Sequence, residues 1–434
     1  MKRNLLRFVL LSVMSFVTLS ASAQDYLCFT ANTASSTVKL KKSQSPTEVT
    51  LQTSTDGTTW SDYTIGTDIT LANAGDKVYF RNASEDVTGI TTDSRNYYFF
   101  AMSGSIAASG NVMSLIDKSC QVTAIPTEGC FRRLFYSCSA LTTAPELPAT
   151  TLSSDCYTQM FCGCSKLTTA PELPATTLEY GYYTQMFNGC SSLNDIKIAL
   201  TAWDPSFSNS RTQFWVKEVN STGTFSCPDG LDTETRGEHN IPEGWTVKNT
   251  YDLTIPSETG WASMCVNLPL KVPTGVEVYY ASAVEGTTIT LKQIAAGTVM
   301  AAKTAVIVKG AKGTVGFPIA GEAGTSYKNL FQGSSVAKAC NAGENYVLNA
   351  SKSSDTNVHF SIYTGTTLTD HKAYLPKSAV GGASSIQFRF GDATAISTIE
   401  TESNDDVLYN MAGQRVSSDY RGIVIKNGKK MFNL

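Results

Sequence analysis

The chain has 434 residues, of which 42% are hydrophobic and only 16% are charged, and its formal net charge is −3 at pH 7. A chain of this length is expected to form roughly two to four domains. The weak negative charge argues against a nucleic-acid partner, because phosphate contacts need concentrated Lys and Arg. A charged fraction below the usual value of about 25% suits an extracellular, β-rich protein.

The first residues have the pattern of a secretion signal. A basic head that ends at Arg7 precedes the apolar run Phe8–Leu19, and the small residues Ala21–Ala23 form a cleavage site. The apolar run is too short to cross a bilayer, and no later run is long enough. We therefore expect residues 1–23 to be removed, leaving an exported mature chain without a transmembrane segment.

Residues 24–108 are predicted to form a β-sandwich-like domain. Apolar and polar residues alternate over short segments, and turn residues such as Asp56-Gly57 separate them. Short strands at this spacing are typical of a sandwich. The predicted strands are Thr37–Lys41, Val49–Thr53, Ile69–Leu71, Val78–Phe80 and Asn96–Met102.

Two consecutive 26-residue units follow, Phe135–Met160 and Phe161–Met186, and they are identical at 19 of 26 positions. A third unit starts at Phe187 and decays after Leu193, and the register extends back over a degenerate unit from 109 to 134. A period in the twenties with recurrent Leu and Phe predicts a short leucine-rich-repeat solenoid, whose units bury apolar surface against their neighbours.

Each unit is predicted to have one extended side and one loosely helical side. Apolar residues three and four apart predict a short helical turn at Tyr157–Phe161. Pro171 and Pro174 exclude a long helix from the other side. We expect residues 109–249 to comprise these repeats and a C-terminal cap, Asp195–Lys248, rich in large aromatic residues.

Cysteine positions follow the repeat. Cys138, Cys164 and Cys190 are 26 residues apart, and so are Cys130 and Cys156. Side chains in register on stacked units point the same way, which fits disulfide geometry poorly. The spacing therefore favours a ladder of free, buried, small side chains. Any bridges are expected among the remaining six cysteines: Cys28, Cys120, Cys162, Cys227, Cys265 and Cys340.

Residues 250–392 are predicted to be a second β-rich domain. Residues 393–434 are predicted to be a linker followed by a C-terminal β-hairpin module, in which Asn427-Gly428 is a strong hairpin signal. The predicted strands of the second domain are Tyr251–Ile255, Val276–Tyr280, Thr288–Leu291, Ala305–Val308, Asn345–Leu348 and Ser385–Phe390.

The repeat resembles the BspA-like leucine-rich repeats of Bacteroidetes surface proteins. Met160–Cys164 and Met186–Cys190 carry the motif, and Leu141–Leu152 and Leu167–Leu178 share the sequence LTTAPELPATTL. The tail from Leu408–Val416 onward resembles C-terminal modules of exported proteins of that phylum, some of which are type IX sorting signals. The resemblance implies attachment to host proteins, other bacteria or glycans, and it supplies no catalytic residues.

Few residues point to enzyme chemistry. The histidines His239, His359 and His371 lie far apart in the sequence, and no nucleophile motif or phosphate-binding loop is present. We therefore expect no catalytic residues, no cofactor and no metal site. Glu146 and Glu172 are repeat equivalents, and a carboxylate pair can serve a glycosidase. Duplication alone explains the pair, so a solvated face is the favoured interpretation.

The surface of the repeat is the remaining candidate site. Threonines recur in successive units and would form rows of hydroxyl and methyl groups suited to a repetitive ligand. Alternatively, threonine simply suits short extended segments. The candidate binding face comprises Thr142, Thr143, Glu146, Thr150, Thr151, Thr168, Thr169, Glu172, Thr176 and Thr177.

Together these features predict a mostly β, non-catalytic, exported cell-surface protein that mediates adhesion or host interaction through its solenoid. The expected partner is a host or bacterial surface protein, or a glycan, and not a nucleic acid. A glycan-capture protein that binds carbohydrate through exposed aromatic residues of its β domains is the alternative. A hydrolase with an unrecognised site in residues 251–392 is a third reading.

Overall fold

The computed structural model describes residues 25–44, 48–90, 96–178, 180–203, 211–256, 259–350 and 358–391, together with strand residues 408–410, 415–416, 422–426 and 429–433. The predicted signal peptide, the linker and the turn Asn427-Gly428 lie outside the described residues. The chain separates into two compact units, residues 1–389 and 390–434. The regular secondary structure of the described residues is mostly β, as predicted, and their helical elements are a 3₁₀ turn (η1, Val112–Leu115) and one α-helical turn (α1, Lys377–Val380).

The predicted N-terminal strands are confirmed. They belong to a six-stranded sheet in the order β4-β3-β6-β1-β8-β9 and a three-stranded sheet in the order β5-β2-β7. Their bounds are β1 Leu27–Ala31, β2 Ser36–Lys42, β3 Leu51–Ser54, β4 Ser61–Tyr63, β5 Ile69–Leu71, β6 Lys77–Asn82, β7 Tyr98–Ser103, β8 Ile106–Ser109 and β9 Leu141–Thr143.

Aromatic rings join the two N-terminal sheets. The ring centroids of Phe29 and Phe80, from the six-stranded sheet, lie 4.8 Å and 5.3 Å from that of Phe100 in the three-stranded sheet. Phe135, the first residue of the repeat, stacks on Phe100 at 5.5 Å. One hydrophobic core therefore extends from Leu27 through the repeats to Trp245.

Backbone hydrogen bonds stack the repeat units on one another. The Phe161 N–H donates to the carbonyl of Met186 in the next unit (3.0 Å), whereas the adjacent Met160 N–H donates to Tyr157 within its own unit (3.0 Å). Donors thus alternate along the chain between a neighbouring unit and a tight turn. This alternation satisfies backbone groups in a segment without a regular helix or strand.

The predicted helical turn at Tyr157–Phe161 is wrong. This segment forms consecutive tight turns, because every fourth residue has a positive φ: Asp155 (55°), Gln159 (57°) and Gly163 (79°). Left-handed residues interrupt the right-handed helical hydrogen-bond pattern. The same spacing recurs one unit later at Gly181, Gln185 and Gly189, so the turns are a property of the repeat.

Equivalent side chains of successive units form ladders. The ring centroids of Phe135 and Phe161 are 5.3 Å apart, and those of Phe161 and Phe187 are 5.8 Å apart. The thiol of Cys164 donates to the carbonyl of Phe135 (3.1 Å), and that of Cys190 donates in the same way to Phe161 (3.1 Å). None of the eleven cysteines, all of which lie in the described part of the chain, forms a disulfide, which confirms the predicted ladder and places no bridge among the remaining six.

We expect the native protein to contain no disulfide. Alkylation in denaturant without reductant should therefore modify all eleven cysteines, and mass spectrometry counts the modifications. In the native protein the ladder thiols should react slowly, because burial raises the pKa of Cys138 to about 12 and disfavours the reactive thiolate. Fewer than eleven modifications without reductant would reveal a disulfide, and a disulfide that includes a ladder cysteine would contradict the ladder.

Stacking continues beyond Leu193, where the sequence repeat decays. The Phe187 N–H donates to the carbonyl of Trp215 (2.8 Å), as Phe161 does to Met186 one unit earlier. On the extended side, three strands pair in parallel: β10 Asp195–Lys197, β11 Thr224–Ser226 and β12 Thr246–Lys248. The predicted cap therefore extends the stack of repeat units, although its side chains no longer follow the repeat sequence.

The described residues between 250 and 391 form four further sheets, the largest with nine strands in the order β14-β19-β16-β17-β27-β24-β23-β26-β21. The predicted strands here are confirmed. The bounds are β13 Thr250–Ile255, β14 Trp261–Met264, β15 Leu270–Lys271, β16 Val276–Glu285, β17 Thr288–Ile294, β18 Val299–Met300, β19 Val306–Gly310, β20 Gly313–Pro318, β21 Gln332–Ser334, β22 Lys338–Ala339, β23 Asn345–Ala350, β24 Val358–Ile362, β25 Thr367–Leu368, β26 Lys372–Pro376 and β27 Ser385–Phe390.

The C-terminal unit contains a four-stranded sheet in the order β29-β28-β30-β31. Its strands are β28 Leu408–Asn410, β29 Arg415–Val416, β30 Gly422–Lys426 and β31 Lys429–Asn433. Lys426 pairs with Lys429 in antiparallel register, as the predicted hairpin requires. Within the part of the chain that is described, no helix has the length and apolar character needed to cross a membrane.

Candidate binding cleft

The predicted threonine rows divide into two groups. Thr142, Thr143, Thr168 and Thr169 line a cleft of about 450 Å³ between the repeat and the segment around residues 335–371. The cleft has the size of a small-ligand site. The other predicted threonines, which are Thr150, Thr151, Thr176 and Thr177, are exposed or half-exposed and do not line it.

The hydroxyls of the cleft threonines differ in their partners. Thr142 Oγ1 donates to the carbonyl of Ile106 (3.0 Å), and Thr143 Oγ1 donates to that of Ala108 (2.9 Å). These two side chains therefore hold β9 beside β8. Among the described residues, Thr168 and Thr169 have no side-chain partner, and both are exposed. One threonine pair thus has a local structural role, and the other is open to a ligand.

Glu172 does not lie on a solvated face, contrary to the prediction. It is 5% exposed, and its carboxylate accepts a hydrogen bond from the backbone N–H of Asn267 (2.6 Å). Its other oxygen lies 3.1 Å from Nε2 of His371, whose Nδ1 is 3.0 Å from Asp370. The C-terminal β region therefore covers this repeat position and places a charged trio in the cleft wall.

His371 is held as a cation between two carboxylates. Burial alone would lower the pKa of His371, but the hydrogen bonds to Asp370 and Glu172 outweigh it and raise the pKa to about 9. A general base must be neutral near the working pH and must contact the group that it deprotonates. Since both ring nitrogens already face carboxylates, the trio is suited to holding the two segments together or binding a charged group.

Glu146, the repeat equivalent of Glu172, is also buried, at 1% exposure. Its carboxylate accepts hydrogen bonds from the hydroxyls of Ser334 (2.8 Å) and Ser335 (3.0 Å) and from the Ser335 N–H, and it pairs with Lys303. Burial alone would raise the pKa of Glu146, but Lys303 and the serine donors keep it below its ordinary value. The predicted solvated face is therefore wrong for both glutamates.

Lys303 belongs to a buried network of balanced charge. Its Nζ also lies 3.9 Å from the carboxylate of Asp25, and that carboxylate lies 3.6 Å from Nζ of Lys338. Lys338 donates a further hydrogen bond to the hydroxyl of Tyr374 (2.8 Å). The network combines a residue near the predicted mature N-terminus, a repeat glutamate and two lysines of the C-terminal region. It thus joins three distant parts of the chain.

The spacing that identified the two glutamates gave no sign of their partners. Lys303 is 157 residues from Glu146, and His371 is 199 residues from Glu172. The adjacency of Asp370 and His371 was the single local signal for the trio. Among the described residues, no group of three or more His, Cys, Asp or Glu side chains is arranged to hold a metal ion.

Comparison of the chain with protein-family models, with curated proteins and with solved structures found no match. The geometry of the cleft and of the charged clusters is therefore the basis for any functional assignment.

Proposed function

We propose that this chain is an exported, non-catalytic cell-surface protein that binds a host or bacterial surface partner through the threonine cleft. The observation that carries the proposal is the cleft itself. Exposed threonines from successive units line it, and Thr168 and Thr169 have no side-chain partner among the described residues. Hydroxyl and methyl groups in one row can pack on an extended chain and also hydrogen-bond to it.

The stacked units support a leucine-rich-repeat solenoid as the scaffold of this cleft. Alternating backbone donors and the ladders of Phe and Cys give each unit the same neighbours, as a repeat architecture requires. Such architectures present their repeated side chains as extended binding surfaces. The C-terminal β region, held by Glu146 and Glu172, would then form the opposite wall.

Export and surface attachment are part of the same proposal. The basic and apolar pattern before Ala23 and the hairpin module at the C-terminus support them. Protease treatment of intact cells tests this part, with a periplasmic protein as the control. We expect the protein to be digested while the control is retained. If the protein is protected as fully as the control, the surface location is excluded.

The cleft is tested by filling it with arginine. Thr168→Arg combined with Thr169→Arg should reduce adhesion of the purified mature protein to immobilised extracellular-matrix proteins and whole bacterial cells about tenfold or more. Thr150→Arg combined with Thr151→Arg is the matched control, because these exposed threonines lie outside the cleft. Equal adhesion of the two double variants, with both folded by circular dichroism, would contradict a role of the cleft.

A further inference from the structure

A second cavity of about 610 Å³ lies between the six-stranded N-terminal sheet and residues 332–382. Its volume lies within the range of sites that take a small ligand. Three half-buried or buried aromatic residues of the N-terminal region, Tyr26, Trp60 and Tyr79, line one side. The opposite side carries amide and charged groups, among them Gln332, Asn341, Glu344, Lys338 and Lys377. Aromatic rings therefore form one wall of the cavity, and polar groups form the opposite wall.

Arg81 is the cation at the aromatic side, where the carboxylate of Asp56 also lines the cavity. Its guanidinium carbon lies 4.1 Å from the centroid of the Trp60 ring. Nε and Nη2 donate to Oε1 of Gln52 (3.0 and 2.9 Å), and Nη1 donates to the hydroxyl of Tyr26 (3.3 Å). These acceptors are neutral, and among the described residues no carboxylate lies within ion-pair distance of Arg81, although Asp56 and Glu344 also line the cavity.

The free donors of Arg81 point to the kind of ligand. A guanidinium has five N–H donors, and the contacts to Gln52 and Tyr26 use three of them. Gln52 occupies the side formed by Nε and Nη2, which leaves donors at the Nη1 and Nη2 end. An arginine with adjacent free donors is suited to a carboxylate, which it binds through two parallel hydrogen bonds.

Neighbouring contacts fix this arrangement before any ligand binds. Gln52 Nε2 donates to Asp62 (3.1 Å), so the side chain that holds Arg81 is itself held. The rings of Tyr26 and Trp60 meet edge to face with their centroids 4.7 Å apart. A preorganised arginine and aromatic surface loses little conformational entropy when a ligand binds.

We propose that this cavity binds an acidic carbohydrate, with the carboxylate of a uronic or sialic acid residue on Arg81. The C–H groups of a sugar ring pack on the faces of aromatic residues such as Trp60 and Tyr79, whose π-systems are electron-rich. Sugar hydroxyls both donate and accept, which matches the amide of Asn341 and the carboxylate of Glu344 across the cavity. An acidic peptide has the carboxylate but lacks this density of hydroxyl donors.

Isothermal titration calorimetry on the mature protein tests the site with defined probes. Trigalacturonic acid and sialyllactose are the acidic probes, and maltotriose and lactose are the neutral ones. We expect at least one acidic probe to bind about tenfold more tightly than its neutral counterpart, and more weakly as salt is added. Binding of neither acidic probe, or equal binding of a glutamate-rich peptide, would overturn the proposal.

Two variants and a matched control assign the binding to this cavity. Arg81→Gln should weaken binding of the acidic probe about tenfold or more, because it removes the charged donors. Arg389→Gln removes an exposed guanidinium that pairs with Glu285 outside the cavity, and it should leave affinity unchanged.

Lys377→Glu provides a second test if Arg81→Gln fails to fold, because Lys377 is a half-buried cation that lines the same cavity. The reversed charge at position 377 should also weaken binding of the acidic probe. Unchanged affinity in a folded Arg81→Gln variant, or in Lys377→Glu where the first variant does not fold, would overturn the assignment. The threonine-cleft variants should bind the probes normally, so failure of either proposal leaves the other standing.

Discussion

Replacement of Glu146 by Gln is expected to lower the free energy of unfolding by about 3 kcal/mol, the lower end of the range for breaking a buried ion pair, because Glu146 is buried while the Lys303 side chain is 27% exposed. Lys303 would lose its nearest carboxylate, and its other carboxylate partner, Asp25, lies 3.9 Å away and also faces Lys338 at 3.6 Å. The side-chain oxygen of Gln can still accept hydrogen bonds from Ser334 and Ser335. The loss of stability therefore reports the removal of the negative charge at position 146. Urea unfolding followed by fluorescence measures the difference.

Two controls separate the ion pair from a general effect of the substitution. Glu243→Gln changes an exposed glutamate and should alter the unfolding free energy by less than about 0.5 kcal/mol. Adding Lys303→Met to Glu146→Gln removes the uncompensated charge and should recover much of the lost stability. A cost for Glu146→Gln no larger than that for Glu243→Gln would show that the network contributes little.

The strands of this protein were largely predictable, because a two-residue alternation of apolar residues is a local property. Val38 and Leu40 are buried in β2 while Thr37 and Lys39 between them are half-exposed. Residues Ile69–Leu71 were predicted as a strand, and β5 has these bounds. Side-chain periodicity therefore carried enough information wherever one face of a strand packs on the core.

The turns of the repeat were not predictable in the same way. Tyr157, Met160 and Phe161 have helical spacing, and all three are buried. Their burial results from left-handed residues at Asp155 and Gln159, which spacing alone does not reveal, because neither residue is glycine. The apolar spacing correctly predicted which side chains face the core. It did not predict the backbone conformation that places them there.

The candidate site was predicted only in part. The threonines of the cleft were identified from the sequence because threonine recurs at the same positions of successive units. The two glutamates recur with the same period, yet both are buried. A repeat specifies the neighbours within its own stack, whereas Lys303 and His371 come from a region without the repeat. Burial of Glu146 and Glu172 therefore depends on tertiary contacts that the period does not encode.

The charged trio predicts that stability depends on pH in the alkaline range. His371 has a pKa raised to about 9 from an ordinary value of 6.5. Because the folded state binds this proton more tightly, the stabilisation is fully present below pH 6.5 and is lost as the pH rises through about 9. A pKa shift of this size corresponds to about 3 kcal/mol of stabilisation of the folded state. Thermal unfolding across this range should show a falling midpoint.

Comparison with His371→Asn isolates this contribution from all other titrating groups. Asn keeps a polar side chain and tolerates the left-handed backbone at this position, where φ is 55°. The variant should be less stable than the wild type near pH 6.5, and the difference should shrink as the pH rises through about 9. Glu172→Gln should reduce the same pH dependence, because it removes one of the two carboxylates that favour the imidazolium. A difference between wild type and His371→Asn that is constant with pH would mean that packing against Tyr251, whose ring centroid lies 5.6 Å away, is the main role of His371.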